Sequence, residues 1–396
     1  MPPNTSSPSA TTMPSEEPTL RRPTSNDKKN KAEHEDDPRL HDIHSTYFPP
    51  LEIVWRNVGL FAYLHIAAAA GLYFLLSGQV GWRTLVWTFI WHLFGAFGIT
   101  AGAHRLWAHK SYKAKAPLRA LLAFMQTVSF QNSIHEWARD HRVHHKYSET
   151  HADPHNAKRG FFFAHMGWLM ARKHVMVKEK GKAIDMSDLE ADPIIMFQKK
   201  YYTPLVLLIS FVIPAVVPWY FWGENFIVSW CFAAQFRYCV NLHSTWLVNS
   251  AAHMIGNRPY DVNISPSEVK SVAFFAFGEG WHNYHHTYPF DYKTAEMGNY
   301  DLNFTLAFID FFAWIGWAYD LKTVSHKVIE ERIKRTGDGS HPLSHGHHHH
   351  HHNHNDGEDH HVEGSGDGVG PWGWGDKDIP IEDIEVTETL HPLKDE

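Results

Sequence analysis

VGLFAYLHIAAAAGLYFLL, Val58 to Leu76, runs for nineteen residues without an Asp, Glu, Lys or Arg. At 1.5 Å of rise per residue such a helix matches the roughly 30 Å hydrocarbon core of a bilayer. The run therefore reads as a transmembrane span, not as the core of a soluble domain. TLVWTFIWHLFGAFGITAGA, Thr84 to Ala103, repeats the signal, and Thr203 to Trp222 and Phe226 to Val248 form a second pair. The last run carries Arg237, Asn241 and His243, so it must bury a polar face against protein. A mean hydropathy of −0.36 does not conflict with this, because it averages the spans with two polar tails and a polar loop.

The connections are unequal. SGQVGWR and GEN are turns, whereas His104 to Tyr202 is a loop of about a hundred residues. The expected fold is an all-α integral membrane protein with four transmembrane helices in two hairpins (58–76, 84–103, 203–222 and 226–248). A helical cytosolic cap would be built from 104–202 and 249–339. The long loop holds about seventeen Lys and Arg and the two turns only Arg83, which puts the loop, and with it both termini, on the cytosolic side. The first fifty residues are polar and show no cleavable signal peptide. Cys231 and Cys239 both fall in the fourth run, which argues against a structural disulfide. Residues 1–45 and 340–396 read as tails without structure. The second contains the low-complexity HGHHHHHHNHN from His345 and a net charge near −11 beyond Asp356, which leaves the remainder mildly basic at about +4. Removal of residues 341–396 is expected to leave most of any activity, since no candidate site residue lies there.

The chemistry concentrates in histidines. HRVHHKYSETHADPHN, His141 to Asn156, holds five in sixteen residues, and HNYHH repeats the HxxHH pattern at His282, His285 and His286. Residues at i, i+3 and i+4 of a helix fall within about 100° of arc, so each triplet presents converging imidazoles. HRLWAH adds His104 and His109. In α-helical geometry these are about 140° apart, so His104 should close the second span while His109 turns back from the next segment. NSAAH adds Asn249 and His253. Each cluster alone is weak, since an isolated histidine is more often a surface or hydrogen-bonded core residue. Jointly they are not. His65 and His92, single and inside spans, read as packing residues. Nine imidazoles exceed the shell of any one metal, so two metals are expected. An all-imidazole shell with room for water or oxygen suits a redox metal such as iron better than structural zinc, with Asn249 holding a metal-bound water.

At these residues the chain resembles the membrane acyl-CoA desaturases of the stearoyl-CoA desaturase family. The matching segments are GAHRLWAHKSYKA, WARDHRVHHKYSETHADPHN, RGFFFAHMGWLMARKH, TWLVNSAAHMIGNRPYD, GEGWHNYHHTYPFDY and IKRTGDG, and they cover most of the chain from Trp55 to about Gly339. WGWGDKD and MGNY look like insect members. The resemblance implies a diiron centre on the nine histidines and an asparagine-bound water, dioxygen as co-substrate, and electrons from NADH through a reductase and cytochrome b5 at the endoplasmic reticulum membrane. It also implies that Asn57, Arg139, Asp140, Arg172 and Lys173 hold the CoA moiety, and charge-assisted bonds from Arg to phosphate give the physical reason. Gln131, Trp137, Thr245 and Trp246 would surround the bend of an acyl tunnel. Ala96, two turns below His104, would gate chain length above His92 at the tunnel floor. RKHVMV departs from the family's RKHP but touches no expected ligand.

The expected activity is insertion of a cis double bond into a saturated acyl-CoA, with Δ9 of a stearoyl or palmitoyl chain leading and Δ11 or another position as the alternative. A membrane hydroxylase with the same histidine boxes is a second reading. A metal transporter is a third, disfavoured because the clusters lie outside the spans, whereas transporters place their ligands near the bilayer midplane.

Overall fold

A computed structural model describes residues 38–298, 300–346 and 370–393. Most of the N-terminal tail and the polyhistidine run lie outside the described residues. The expected helical architecture is present: the only named strands among the described residues are two antiparallel pairs of two to four residues.

Helix α1 spans Trp55–Leu76. Helix α2, Trp82–Phe97, continues without a break through the wider turns of a π-helix, Gly98–Ala108, and so runs five residues beyond the expected end at Ala103. After a long connecting segment containing α3 (Ala116–Ser129) and α4 (Ile134–Lys146), a third long helix, α5, covers Tyr202–Trp222. The fourth apolar run is helical from Phe226 through π turns at Trp230–Phe236 into α6, Arg237–Met254. Among the described residues, three helices, Trp55–Leu76, Trp82–Ala108 and Tyr202–Trp222, are long and apolar enough to cross a membrane. The fourth is long enough, but its polar residues keep it from meeting the same apolar standard.

Hairpin pairing is fixed at the two short turns. Glu224 Oε2, in the turn after α5, accepts from Gly81 N at 2.9 Å and Thr84 Oγ1 at 2.6 Å, which pins the α1–α2 turn to the other hairpin. Trp222 Nε1 donates to the same Thr84 hydroxyl at 2.9 Å. Helix contact is close where glycine allows it. A Cβ on Gly71 of α1 would sit 2.4 Å from the Cys231 carbonyl oxygen, and one on Gly98 would sit 2.2 Å from backbone atoms of Met125 and Gln126 in α3.

The polar face expected of the fourth run is indeed buried. Arg237 donates to Val128 O at 3.0 Å and Ser210 O at 2.7 Å, and the Ser210 hydroxyl donates to Val128 O at 2.9 Å. Val128 is in the last turn of α3, where carbonyls lack helical partners and the helix dipole favours a cation. One guanidinium thus ties α3, α5 and α6 together.

The C-terminal expectation needs correction. Residues 370–393 are not structureless: β2 (Thr387–Leu390) pairs antiparallel with β1 (Leu321–Val324), from Leu321↔Leu390 to Val324↔Thr387, and Trp372 is buried. His341 is also buried, with Nε2 3.1 Å from Glu296 Oε2. Composition alone pointed to disorder because the acidic stretch masks the few apolar and turn residues that dock.

Arg237→Leu removes the guanidinium donors of both carbonyls, leaving Val128 O with the Ser210 hydroxyl alone. Leaving a buried polar group unsatisfied costs about 1–3 kcal/mol, which for a chain of this size lowers the melting temperature by roughly 2–5 °C. Thermal melting in detergent measures this. An unchanged melting curve would show that the guanidinium does not join these helices.

Candidate metal centre

Four elements carry the nine histidines. Helix α4 starts from a capping box in which the Ser133 hydroxyl accepts from Glu136 N at 3.3 Å and Glu136 Oε2 accepts from Ser133 N at 3.4 Å. Its last turns hold His141, His144 and His145. A short helix α7, His282–Thr287, holds His282, His285 and His286. It is fixed by the buried Asn283 side chain, which accepts from Tyr260 N at 2.9 Å and donates to the Asp261 and Pro266 carbonyls at 2.9 Å each. His253 is in the last turn of α6, and His104 and His109 sit in and just after the π turns.

That π segment overturns the α-helical spacing argument. In i→i+5 geometry residues five apart stand one above the other, and His109 N indeed donates to His104 O at 3.1 Å. The two rings are therefore neighbours, 4.7 Å between centroids, on a single continuous helix. No turn-back is needed.

The nine rings divide into two groups. His104, His109, His141, His145 and His285 bring one ligand atom each within 4.8 Å of one another, and His144, His253, His282 and His286 do the same. Each HxxHH triplet is split between them. The i, i+4 pairs His141/His145 and His282/His286 stay together, while His144 and His285 reach across to the other group. The 100° arc of a triplet is what lets one helix serve two adjacent centres.

Several ring orientations are set from outside. Among the short contacts, His104 Nδ1 lies 2.9 Å from Glu279 Oε2, His144 Nδ1 2.9 Å from Asp153 Oδ1 and His253 Nδ1 2.8 Å from Glu149 Oε1. His109 Nδ1 donates to the Trp372 carbonyl. A proton held at Nδ1 leaves Nε2 with its lone pair, and the Nε2 atoms are the ones that converge: His104 on His285 at 2.9 Å, His109 on His141 at 2.9 Å, and His253 on His282 at 3.0 Å. Burial first, then the neighbouring imidazoles, holds His109, His141, His144, His145, His282, His285 and His286 well below the usual histidine range. They are neutral, as ligation requires. Burial opposes the charge of Glu279, but Arg105 and His104 outweigh it and hold the carboxyl below its usual range. Arg105 Nη2 donates to Glu279 Oε1 at 3.0 Å. This donor set of neutral nitrogens, backed by carboxylates, fits two redox-active metal ions.

A cavity with about 580 Å³ of empty space, its solvent-open mouth included, opens onto both groups. His104, His141 and His282 line it, with Asn249, Trp137, Thr245, Ala96 and His92. Trp137 is stacked on His141 at 4.8 Å, and Thr245 Oγ1 accepts from Gln131 Nε2 at 2.9 Å. Gln131 and Trp246 are not among the lining residues. Trp246 is buried beside Phe61 and His243. His92 Nδ1 is 2.7 Å from the Asn241 amide at the cavity wall. Nor is His65 isolated: its Nε2 is 3.1 Å from His243 Nε2.

The five residues expected at a CoA moiety gather where the start of α1 meets residues 169–173 and α4. Asn57 Nδ2 donates to Leu169 O at 2.8 Å, Arg172 Nε pairs with Glu52 at 3.1 Å, and Asp140 accepts from Arg139 at 2.9 Å and from Lys173. Glu279, Asp153, Glu149 and the Trp372 carbonyl were not anticipated. A signal for the acids existed, since GEGWH, ETHADPH and YSET place each beside a histidine box. Nothing in the sequence marks a backbone carbonyl 263 residues away from its histidine.

Residues 85–302 match the family model described as fatty acid desaturase. The chain is 60% identical over 293 residues to an acyl-CoA Delta-9 desaturase of Acheta domesticus, which covers 74% of this chain and 81% of the relative. It is 58% identical to an acyl-CoA Delta12-desaturase of the same organism, over 74% of this chain and 82% of that one. An acyl-CoA Delta(11) desaturase of Spodoptera littoralis is 54% identical over 73% of this chain and 85% of its own.

Glu279→Gln keeps the shape but removes the charge that orients His104 and pairs with Arg105. Loss of such an orienting partner weakens metal affinity about 10–100-fold. Chelator titration of the purified protein measures it, and wild-type retention of metal would show that Glu279 does not orient a ligand.

Proposed function

Because the chain belongs to the fatty acid desaturase family, matched across residues 85–302, we propose that it is an oxygen-dependent acyl-CoA desaturase that introduces a cis double bond at Δ9 of a stearoyl or palmitoyl chain. The observation that carries this reading is the cavity, lined by both histidine groups and by apolar side chains down to Ala96 and His92. The 60% identity to a Δ9 enzyme favours that position, although similar relatives are named for Δ11 and Δ12.

In this reading His104, His109, His141, His145 and His285 hold one iron ion, and His144, His253, His282 and His286 the other, with Asn249 beside a metal-bound water. Bound there, the two irons would supply the oxidising power, drawn from dioxygen, that an unactivated methylene requires. Overall, one saturated chain, one dioxygen, two electrons and two protons give one alkene and two waters. The protein's residues do the rest. Asn57, Arg139, Asp140, Arg172 and Lys173 anchor the CoA end, so that position along the chain is counted from the thioester. Trp137, Thr245 and their neighbours hold one carbon pair against the centre and exclude water. Gln131 braces Thr245, and Trp246 supports the wall from behind.

The membrane arrangement follows the same reading. Phe226–Met254 serves as a fourth span, its polar face turned to protein. The histidines and both termini then share the cytosolic side of the endoplasmic reticulum membrane, where cytochrome b5 and its NADH-dependent reductase deliver electrons.

Expression in yeast lacking its own desaturase, with gas chromatography and double-bond location, tests the reading. A Δ9 monoene is expected. A hydroxylated product, or a double bond elsewhere, would contradict the reaction or the position respectively. Enlarging Ala96 to Ile should shift the preference between palmitoyl-CoA and stearoyl-CoA toward the shorter chain by about tenfold, since one or two methylenes decide fit at a closed apolar end. Equal competition in wild type and a well-folded Ala96→Ile protein would place the tunnel end elsewhere.

A further inference from the structure

Residues 370–379 approach the five-histidine group from a part of the chain far removed from it. His109 is fully buried, and its Nδ1 donates to the Trp372 carbonyl. A carbonyl only accepts, so this contact assigns the proton to Nδ1 and leaves the Nε2 lone pair facing His141 Nε2 at 2.9 Å. His104 is oriented by Glu279. His109 has no carboxylate within salt-bridge distance among the described residues, and the carbonyl takes that role.

The same segment grips its target at further points. Trp374 N donates to His109 O at 2.8 Å, and Gly370 N donates to Lys146 O at 3.2 Å, next to His145. Lys146 Nζ pairs with Asp376 Oδ1 at 3.0 Å and with Asp378, while Asp376 Oδ2 accepts from Trp372 N at 2.9 Å. One carboxylate therefore joins the clamp to the turn that presents the carbonyl. The Arg142 guanidinium lies 4.1 Å from the Trp372 ring and donates to Trp107 O at 2.7 Å and Ala108 O at 3.1 Å, directly before His109. Gly373 has φ +155°, and a Cβ there would lie 2.4 Å from His109 O and 2.6 Å from its Cα. The approach admits only glycine.

We propose that Gly370 to Ile379 is a positioning strap for the five-histidine centre, fixing the tautomer and angle of His109 through the Trp372 carbonyl and holding α4 through Lys146, Asp376 and Asp378. The proposal rests on the reading of these histidines as metal ligands. It reverses the sequence-based expectation that removal of residues 341–396 leaves most of the activity.

The test uses the full chain, purified with its iron, and reads iron per chain under graded chelator together with the Mössbauer spectrum. In Gly373→Ala and Asp376→Asn, iron at one of the two centres is expected to be lost at about 10–100-fold lower chelator concentration, with one spectral component altered and the other intact. Lys146→Met should behave likewise and Lys146→Arg should restore retention, a rescue that general loss of folding would not give. Trp372→Phe, which keeps the carbonyl, should retain both irons. Gly373→Ala and Asp376→Asn proteins with wild-type retention and unchanged spectra overturn the strap. A wild-type chain that binds no iron overturns instead the metal reading beneath it.

Discussion

Nine imidazoles can share one buried space only if nearly all are uncharged and their lone pairs are turned inward, and the rest of the molecule is arranged around that requirement. Burial removes the charge. Aim is set separately, by carboxylates at His104, His144 and His253 and by a carbonyl at His109. Two such groups of rings side by side would repel through their inward lone pairs, and cations between them relieve that repulsion. The arrangement is therefore itself an argument for metal.

The backbone adapts to the same requirement. An α-helix cannot place residues five apart on one face, and the chain answers with π turns over Gly98–Ala108 instead of a second element for His109. Because α2 and its π continuation carry His104 and, some turns earlier, Ala96 and His92, one continuous helix sets the distance from the histidine groups to the far end of the cavity. Arg237 and Glu224 then lock the hairpins so that this distance is kept.

What the sequence made legible was local and periodic. The apolar runs and the two HxxHH helices follow from spacing, because a helix turns repeat into direction, and the gathering of the nine histidines was expected from placing their segments on one side of the spans. The family resemblance supplied the expected CoA and tunnel residues, of which Gln131 and Trp246 lie outside the cavity lining. Three things were not legible. The division of each triplet between two centres depends on how α4 and α7 face each other, which is a tertiary relation. The π turns have no composition signature in GITAGAHRLWA. The docking of Trp372–Asp378 on His109 and Lys146 depends on contacts across more than 200 residues of chain, within a stretch whose average composition reads as disordered.

The proposed division of the nine histidines into two metal centres, of five and four ligands, can be tested. Anomalous scattering at the iron absorption edge, from crystals of the purified wild-type protein, addresses it directly. The account predicts two peaks, one enclosed by His104, His109, His141, His145 and His285 and the other by His144, His253, His282 and His286. A single peak, or iron bound away from these rings, would contradict it.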